Sequence, residues 1–281
     1  MDNTASWYVG GRWVHPNEAT LSINDVAILR AYSAFESLRT YDHRPFHLDG
    51  HLARLYHTAE LIDLEIPWPR EHIASVVQEV IARNSYPNAT IRILVTGGET
   101  EDTILPSEKP VLAVLITPLG ERNMARFARG YKLITTPLQR VLPPEAKTTN
   151  YITAIQALKK AARQNADDAL FVTEQGHVLE ATRSNFFIFR GDTLVTPRTG
   201  ILIGITRNVV LELARGRFAI EERPILLGEL PQAEEAFITS SSKEIMPVVQ
   251  IDDLTIGNGK PGPRTYDLEQ QFIEMIERGE F

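Results

Sequence analysis

Leu142-Pro143-Pro144-Glu145-Ala146-Lys147-Thr148-Thr149-Asn150-Tyr151 sets one lysine in a short polar connection, after a Pro-Pro stop and before an amphipathic run that begins at Tyr151. Proline cannot continue a helix or a sheet ladder and biases its predecessor toward extended backbone. The spacing therefore predicts a shaped loop that presents Lys147 at the mouth of a helix. The positive end of a helix dipole disfavours an ammonium and lowers its pKa, one route to a nucleophilic amine. Taken alone, a solvated surface lysine is the plainer explanation of the stretch. Lys147 needs corroboration from the rest of the chain.

With 281 residues and 43% apolar content, the chain suits one large domain or, better, two, with a full core. A net charge of -7 argues against nucleic acid as the main partner. The absence of cysteine excludes disulfides, a thiolate nucleophile and cysteine-ligated metal. No apolar run reaches the ~18 residues of a membrane helix, and Met1-Asp2-Asn3-Thr4 lacks a signal pattern. A cytoplasmic protein with no membrane partner is expected.

Outward from the lysine, the first half reads as a Gly10-Gly11 hairpin, strands at 35–41 and 45–48, and a helix over 49–64 capped by Asp49. A helix at 70–83 and strands at 90–96 and 111–117 follow. Pro118 to Gly130 breaks the pattern with Pro, Gly, Glu121, Arg122, Arg126 and Arg129, so residues 119–129 are taken as a linker between domains 1–118 and 130–281. The second half reads as a strand at 131–136, a helix at 151–164, and strands at 169–173, 177–180, 185–190 and 193–196. A helix from Gly204 to Ala214, a last strand at 235–239 and a terminal helix complete it.

Several generic motifs fail. Ser240-Ser241-Ser242-Lys243 fits Ser-x-x-Lys, but the Ser-Asp-Asn and Lys-Thr-Gly partners are missing. His43, His47, His51 and His57 form no His-Glu-x-x-His pair, so no metal site is expected and exposed or core histidines explain them. What survives is phosphate-type chemistry. Thr199 to Arg207 is a turn feeding a helix whose first amides could hold a dianion. Ser240-Ser241-Ser242 offers hydroxyls, and Arg54 offers a countercharge. Each has a bland counterpart in a cap, a polar loop or a surface arginine.

In their order, these motifs resemble the fold-type IV pyridoxal-phosphate (PLP) enzymes, which include branched-chain and D-amino-acid aminotransferases and aminodeoxychorismate lyases. The resemblance spans almost the whole chain and is strongest in Phe46–Leu55, Lys147–Tyr151, Leu179–Phe187, Gly200–Arg207 and Ser240–Val248. It implies a two-domain α/β (α+β) fold, a small α/β domain plus a larger pseudo-barrel domain, with PLP in the crevice between them and a homodimer. Position by position, Lys147 matches the family's Schiff-base lysine and proton shuttle. Glu180 matches the acid that keeps the pyridine nitrogen protonated. Arg54, Ile205, Thr206 and Ser241 match the phosphate cup, with Ser242 beside it on the substrate side. Tyr151 lies near the tyrosine that branched-chain enzymes place by the cofactor, one residue closer to the lysine than in their Lys-x-x-x-Asn-Tyr pattern.

The departures bear on the substrate. Phe35 stands where D-amino-acid enzymes commonly carry tyrosine, and Val95-Thr96-Gly97-Gly98 lacks the arginine of their Val-Thr-Arg-Gly. Arg183, in Glu-Ala-Thr-Arg-Ser-Asn, and Arg30 appear where better-known subfamilies are neutral. A carboxylate in a partly dry pocket needs a charge-assisted partner, so Arg183 and Arg30 are expected to rebuild the α-carboxylate clamp, Arg30 from its own or the neighbouring subunit. A structural ion pair for Arg183 and a surface position for Arg30 are the plain counterparts. The resemblance then implies transamination between a D-amino acid and a 2-oxo acid such as 2-oxoglutarate. A branched-chain L-amino-acid aminotransferase, an aminodeoxychorismate lyase and a non-catalytic PLP-carrying protein stay open.

Overall fold

The computed structural model describes residues 5–107, 109–120, 124–138 and 142–281. Met1–Thr4, read above for a signal pattern, and Glu121 and Arg122 of the expected linker lie outside them. The chain forms two compact units, Met1–Glu121 with Ala146–Asn150, and Arg122–Glu145 with Tyr151–Phe281. The lysine stretch, expected in the larger domain, thus belongs to the first unit. The expected linker is not loop throughout, because a helix occupies Met124–Arg129.

In the first unit, β1 (Trp7–Val9) and β2 (Arg12–Val14) turn on Gly10 and Gly11, both at positive φ (56° and 84°), as a tight hairpin with two left-handed positions requires. A short helix that sequence did not assign, α1 (Val26–Arg30), is capped by Asp25, which accepts from the Ala27 amide. β3 (Ser33–Tyr41) and β4 (Arg44–Pro45) follow, then α2 (Leu48–Leu61) and α3 (Arg70–Ala82). β5 (Ala89–Thr96) and β6 (Val111–Pro118) complete an antiparallel sheet in the order β2-β1-β6-β5-β3-β4. Ala34, Glu36, Leu38 and Thr40 alternate on one fully buried face of β3. Ala34 and Leu38 share a core with Leu48, Leu52 and Leu55 of α2.

Two expectations fail where α2 begins. The strand proposed for 45–48 ends at Pro45, and Asp49 lies inside the first helical turn instead of capping it. The residue before the helix is His47, in left-handed backbone (φ 47°, ψ 47°) with no capping side chain. Asp49 still complements the positive helix end.

The second unit opens with α4 (Met124–Arg129) and β7 (Tyr131–Pro137), then α5 (Ile152–Arg163), β8 (Asp168–Val172), β9 (His177–Ala181), β10 (Ser184–Arg190) and β11 (Thr193–Thr196). After α6 (Ile205–Ala214) come β12 (Ala219–Glu222), β13 (Ile225–Leu226), β14 (Glu235–Ser240), β15 (Glu244–Ile251), β16 (Leu254–Thr255) and α7 (Pro263–Glu277). The strand at 235–239 is therefore not the last. β15 escapes sequence patterning because Pro247, opposite Phe237, interrupts it with a residue that cannot donate to the ladder.

β10, β14, β15, β7, β8 and β9 pair in succession, and β9 pairs again with β10, which closes the sheet into a ring. This is the expected pseudo-barrel. Alternate residues of the ring strands, among them Leu170, Phe186, Ile238, Met246 and Val248, fill one apolar core. Phe187 and Phe237 stack on the other face at 4.7 Å. α6 and α7 pack on each other and on β14.

Candidate functional site

Lys147 is attached to the first unit through its backbone. Its amide donates to Thr58 Oγ1 of α2 (3.1 Å), and its carbonyl accepts from the Phe35 amide of β3 (3.0 Å). Thr148 bridges Ala34 in antiparallel register, and the Thr149 and Ser33 hydroxyls meet at 2.5 Å. The segment is zipped along the start of β3. α5 begins at Ile152, one residue past the expected start, with Tyr151 as its N-terminal cap residue. The Lys147 ammonium stands 4.7 Å from the centre of the Phe35 ring, a favourable cation–π contact. Phe35 therefore gives the lysine an apolar, electron-rich neighbour, without the phenol that tyrosine would bring.

Behind this segment, Glu36 is fully buried on the core face of β3. Arg54 donates Nε to Glu36 Oε1 (2.7 Å) and Nη2 to Oε2 (2.8 Å), and His51 Nδ1 lies 2.7 Å from Oε2. Burial alone would raise the Glu36 pKa, but the charge and hydrogen bonds of Arg54, helped by His51, hold the carboxyl well below the usual range. His51 is pushed down by burial, against the pull of Glu36, with Arg54 and Lys147 adding to the fall. The ring is thus neutral and donates Nδ1–H to Glu36. The two parallel bonds of the fork hold the Arg54 guanidinium in one orientation. Sequence reasoning assigned no role to Glu36 or His51. The available signal was the i,i+3 spacing of His51 and Arg54, which puts them on one helix face toward an acid at an inward position of β3.

In the second unit, Glu180 lies on β9 in register with Asn185 of β10. Its carboxylate accepts from the Leu202 amide (3.2 and 3.3 Å) and from Asn185 Nδ2 (3.4 Å), while Asn185 Nδ2 also donates to Leu202 O (2.7 Å). These bonds join Glu180 to the turn that leads into α6. Gly204 caps that helix without a side chain, and Ile205 and Thr206 are its first residues, Thr206 buried and Ile205 half-buried. The first-turn amides of a helix without a capping side chain suit a phosphate dianion. Asn185 stands so close that a Cβ on Gly204 would come within 2.1 Å of its Oδ1. Asn185, though inside a quoted motif, was given no role by sequence.

Ser241 and Ser242 occupy the loop from β14 to β15, Ser241 half-buried and Ser242 exposed, and Glu244 closes the loop in left-handed backbone (φ 55°). Thr182 and Arg183 form the two-residue turn between β9 and β10, and the Arg183 side chain is exposed. Among the described residues Arg183 has no acidic partner. The charges that act together with Arg183 on Tyr131 and Lys243 are Arg126, Asp167 and Asp168, of both signs. Arg30 ends α1 exposed, donating to Leu29 O (2.7 Å) and Thr103 Oγ1 (3.5 Å).

The donor set fits PLP. In the first unit an oriented guanidinium suits a phosphate and a lysine fixed by its backbone suits an aldehyde carbon; in the second an acid tied to a backbone amide suits a ring nitrogen, and uncapped helix amides suit a phosphate. Among the described residues no cluster of metal-ligating side chains occurs, and no helix is long and apolar enough to cross a membrane.

The model of the amino-transferase class IV family matches residues 33–251. A Methanocaldococcus jannaschii protein, provisionally assigned as a branched-chain-amino-acid aminotransferase, is 34% identical over 281 residues, 95% of each chain. The D-alanine aminotransferase of Listeria innocua is 32% identical over 277 residues, 96% of each chain. Among solved structures, a T.th. branched-chain amino acid aminotransferase with pyridoxamine 5'-phosphate superposes with a TM-score of 0.92 at 29% identity, over 98% of this chain and 95% of that one.

Proposed function

The chain belongs to the class IV aminotransferases, enzymes that depend on PLP, and on that premise we propose that it exchanges the amino group between a D-amino acid and a 2-oxo acid such as 2-oxoglutarate. Bound PLP supplies an electron sink for the charge left when the Cα proton departs. Lys147 Nζ would take that proton from Cα and deliver it to the cofactor instead of back to Cα, a role worth about 10²–10⁴-fold in rate. Glu180 holds the proton of the ring nitrogen. Arg54, the amides of Ile205 and Thr206, and Ser241 hold the phosphate. Tyr151 would serve the cofactor and Ser242 the substrate.

The observation that carries the substrate side is Arg183, an exposed guanidinium on a hairpin tip with no acidic partner among the described residues. A substrate carboxylate is the partner that this position lacks. A second observation concerns the place where D-amino-acid enzymes commonly carry an arginine. At Gly97 a Cβ would meet Tyr32 Cδ1 at 2.5 Å and Val26 Cγ2 at 2.6 Å, so the ring of Tyr32 fills the space that a longer side chain needs. Carboxylate binding then falls to Arg183, joined by Arg30 of its own or of the neighbouring subunit in a homodimer. Free amino acids and oxo acids as substrates fit a cytoplasmic setting.

A branched-chain L-amino-acid reading has its own support, since both the Methanocaldococcus relative and the T.th. structure carry that assignment. One experiment separates the two. The protein is purified with PLP, and its visible absorption band is followed after separate additions of D-alanine, D-glutamate, L-leucine and L-glutamate. Bleaching by the D-compounds alone is expected, and bleaching by L-leucine supports the branched-chain reading instead. A protein that takes up no PLP and shows no band overturns the assignment of Lys147.

A further inference from the structure

Lys243 was set aside when the Ser-x-x-Lys motif failed, yet it is among the most deliberately placed charges in the second unit. Its side chain is 11% exposed, and its ammonium donates to Ser184 Oγ (2.9 Å) and Asp168 Oδ2 (3.4 Å). Asp168, at the start of β8 and 1% exposed, accepts on Oδ1 from Thr182 Oγ1 (2.5 Å). Thr182 and Ser184 are the residues on either side of Arg183. One buried ion pair therefore grips both flanks of the arginine's turn. The Lys243 amide meanwhile donates to Ser240 O and Ser240 Oγ (3.2 Å each), which closes the loop that carries Ser241 and Ser242.

We propose that Lys243 is a positioning residue that locks the Arg183 turn to the Ser241–Ser242 loop, and so fixes the spacing between the substrate-carboxylate anchor and the phosphate anchor. The inference rests on the carboxylate role of Arg183 given above. An exposed arginine on a two-residue turn has many rotamers and a mobile backbone, and a carboxylate captured by it must first order both. Bracing Thr182 and Ser184 from below removes the backbone share of that disorder before substrate arrives. The Lys243 charge is matched by Asp168, so the brace adds rigidity at the turn without a net charge. Burial lowers the Lys243 pKa, Asp168 raises it, and Arg183 lowers it further, so an anion arriving at Arg183 relieves a repulsion already present in the fold.

The test is a double-mutant cycle on the PLP-loaded enzyme, with whichever donor, D-alanine or L-leucine, bleaches the cofactor band. Lys243→Met is expected to raise KM for the donor about tenfold with kcat changed far less, and Lys243→Arg to recover most of the loss. Because Lys243 acts through Arg183, R183A/K243M should bind the donor no worse than R183A alone. PLP affinity, measured by quenching of tryptophan fluorescence in the apoprotein, should fall severalfold in K243M and stay unchanged in R183A. Additive KM effects in the double variant, or a KM in K243M equal to wild type, overturn the inference. An R183A enzyme with unaltered KM sinks the clamp itself, whereas altered KM in R183A beside an unaltered K243M sinks only the brace. Should K243M fail to fold, Ser184→Ala removes the 2.9 Å bond alone. A KM raised about threefold then sustains the brace, and an unchanged KM ends it.

Discussion

Arg54 and Glu36 meet in a parallel fork, Nε to Oε1 at 2.7 Å and Nη2 to Oε2 at 2.8 Å, with the carboxylate wholly inside the first unit. Removing one member of a buried pair leaves the other charge desolvated and unmatched, at a cost of about 3–5 kcal/mol. Glu36→Gln should lose stability on that scale in urea titrations followed by circular dichroism. It should also weaken PLP binding, because the guanidinium loses the support that aims it. A Glu36→Gln protein as stable as wild type would show that the fork orients nothing.

Acidification should destabilise the first unit through two groups with the same sign. The Glu36 carboxyl is depressed below its ordinary 4.5 in the fold, so its contribution is complete above that pH and fades as pH falls toward the folded value. His51 is depressed below its ordinary 6.5, so below pH 6.5 the unfolded chain takes up a proton that the folded chain refuses. Melting temperature should therefore fall from about pH 6.5 downward, and His51→Gln should flatten the upper part of that fall. An identical pH profile in the variant would mean that His51 titrates alike in the folded and unfolded chain.

Gly204→Ala should act on Glu180 without touching it. The added methyl would stand 2.1 Å from Asn185 Oδ1, and Asn185 is one of the two links, with the Leu202 amide, between Glu180 and the Leu202 turn. Overpacking of this kind costs about 1–3 kcal/mol. The telling measurement is the rise in melting temperature when PLP is added, which reports binding to the folded state. That rise should shrink in the variant, and a full-sized rise would free Asn185 from the role.

Lys147→Ala should separate chemistry from structure. The segment is anchored through the Lys147 amide and carbonyl, to Thr58 and Phe35, and these bonds survive loss of the side chain. Turnover should drop at least ~10²–10⁴-fold, while the melting temperature of the PLP-free protein stays close to wild type. A large loss of stability would assign the ammonium a structural task at Phe35.

Much of this was legible in the chain because local patterns agree with the fold. Period-two alternation in β3 and β5, the Gly10-Gly11 turn and the apolar stripe of α2 each point to the element observed. Patterning failed where a long-range partner decides. Pro247 hides β15, whose pairing with β14 and β7 outweighs one missing donor. The lysine stretch looks from its neighbours like the entrance to α5, but hydrogen bonds to Phe35 and Thr58, remote in sequence, give it to the first unit. At the site, residue types were readable from motifs, whereas the bracing partners Glu36, His51, Asn185 and Asp168 required tertiary contacts to appear.

The closed ring of the second unit also fixes an order of assembly. The β9–β10 seam joins neighbours across a two-residue turn and can form as soon as both strands exist. The β7–β15 seam is different, for Tyr131 must wait for Val248. On the ribosome, where chains emerge from the N-terminus, one edge of β7 stays unpaired until almost the whole protein has been made. That edge is an adhesive surface for any other strand in the meantime. The nascent chain is thus most exposed to mispairing while β8 to β14 are being synthesised, and truncation anywhere before β15 leaves that edge open.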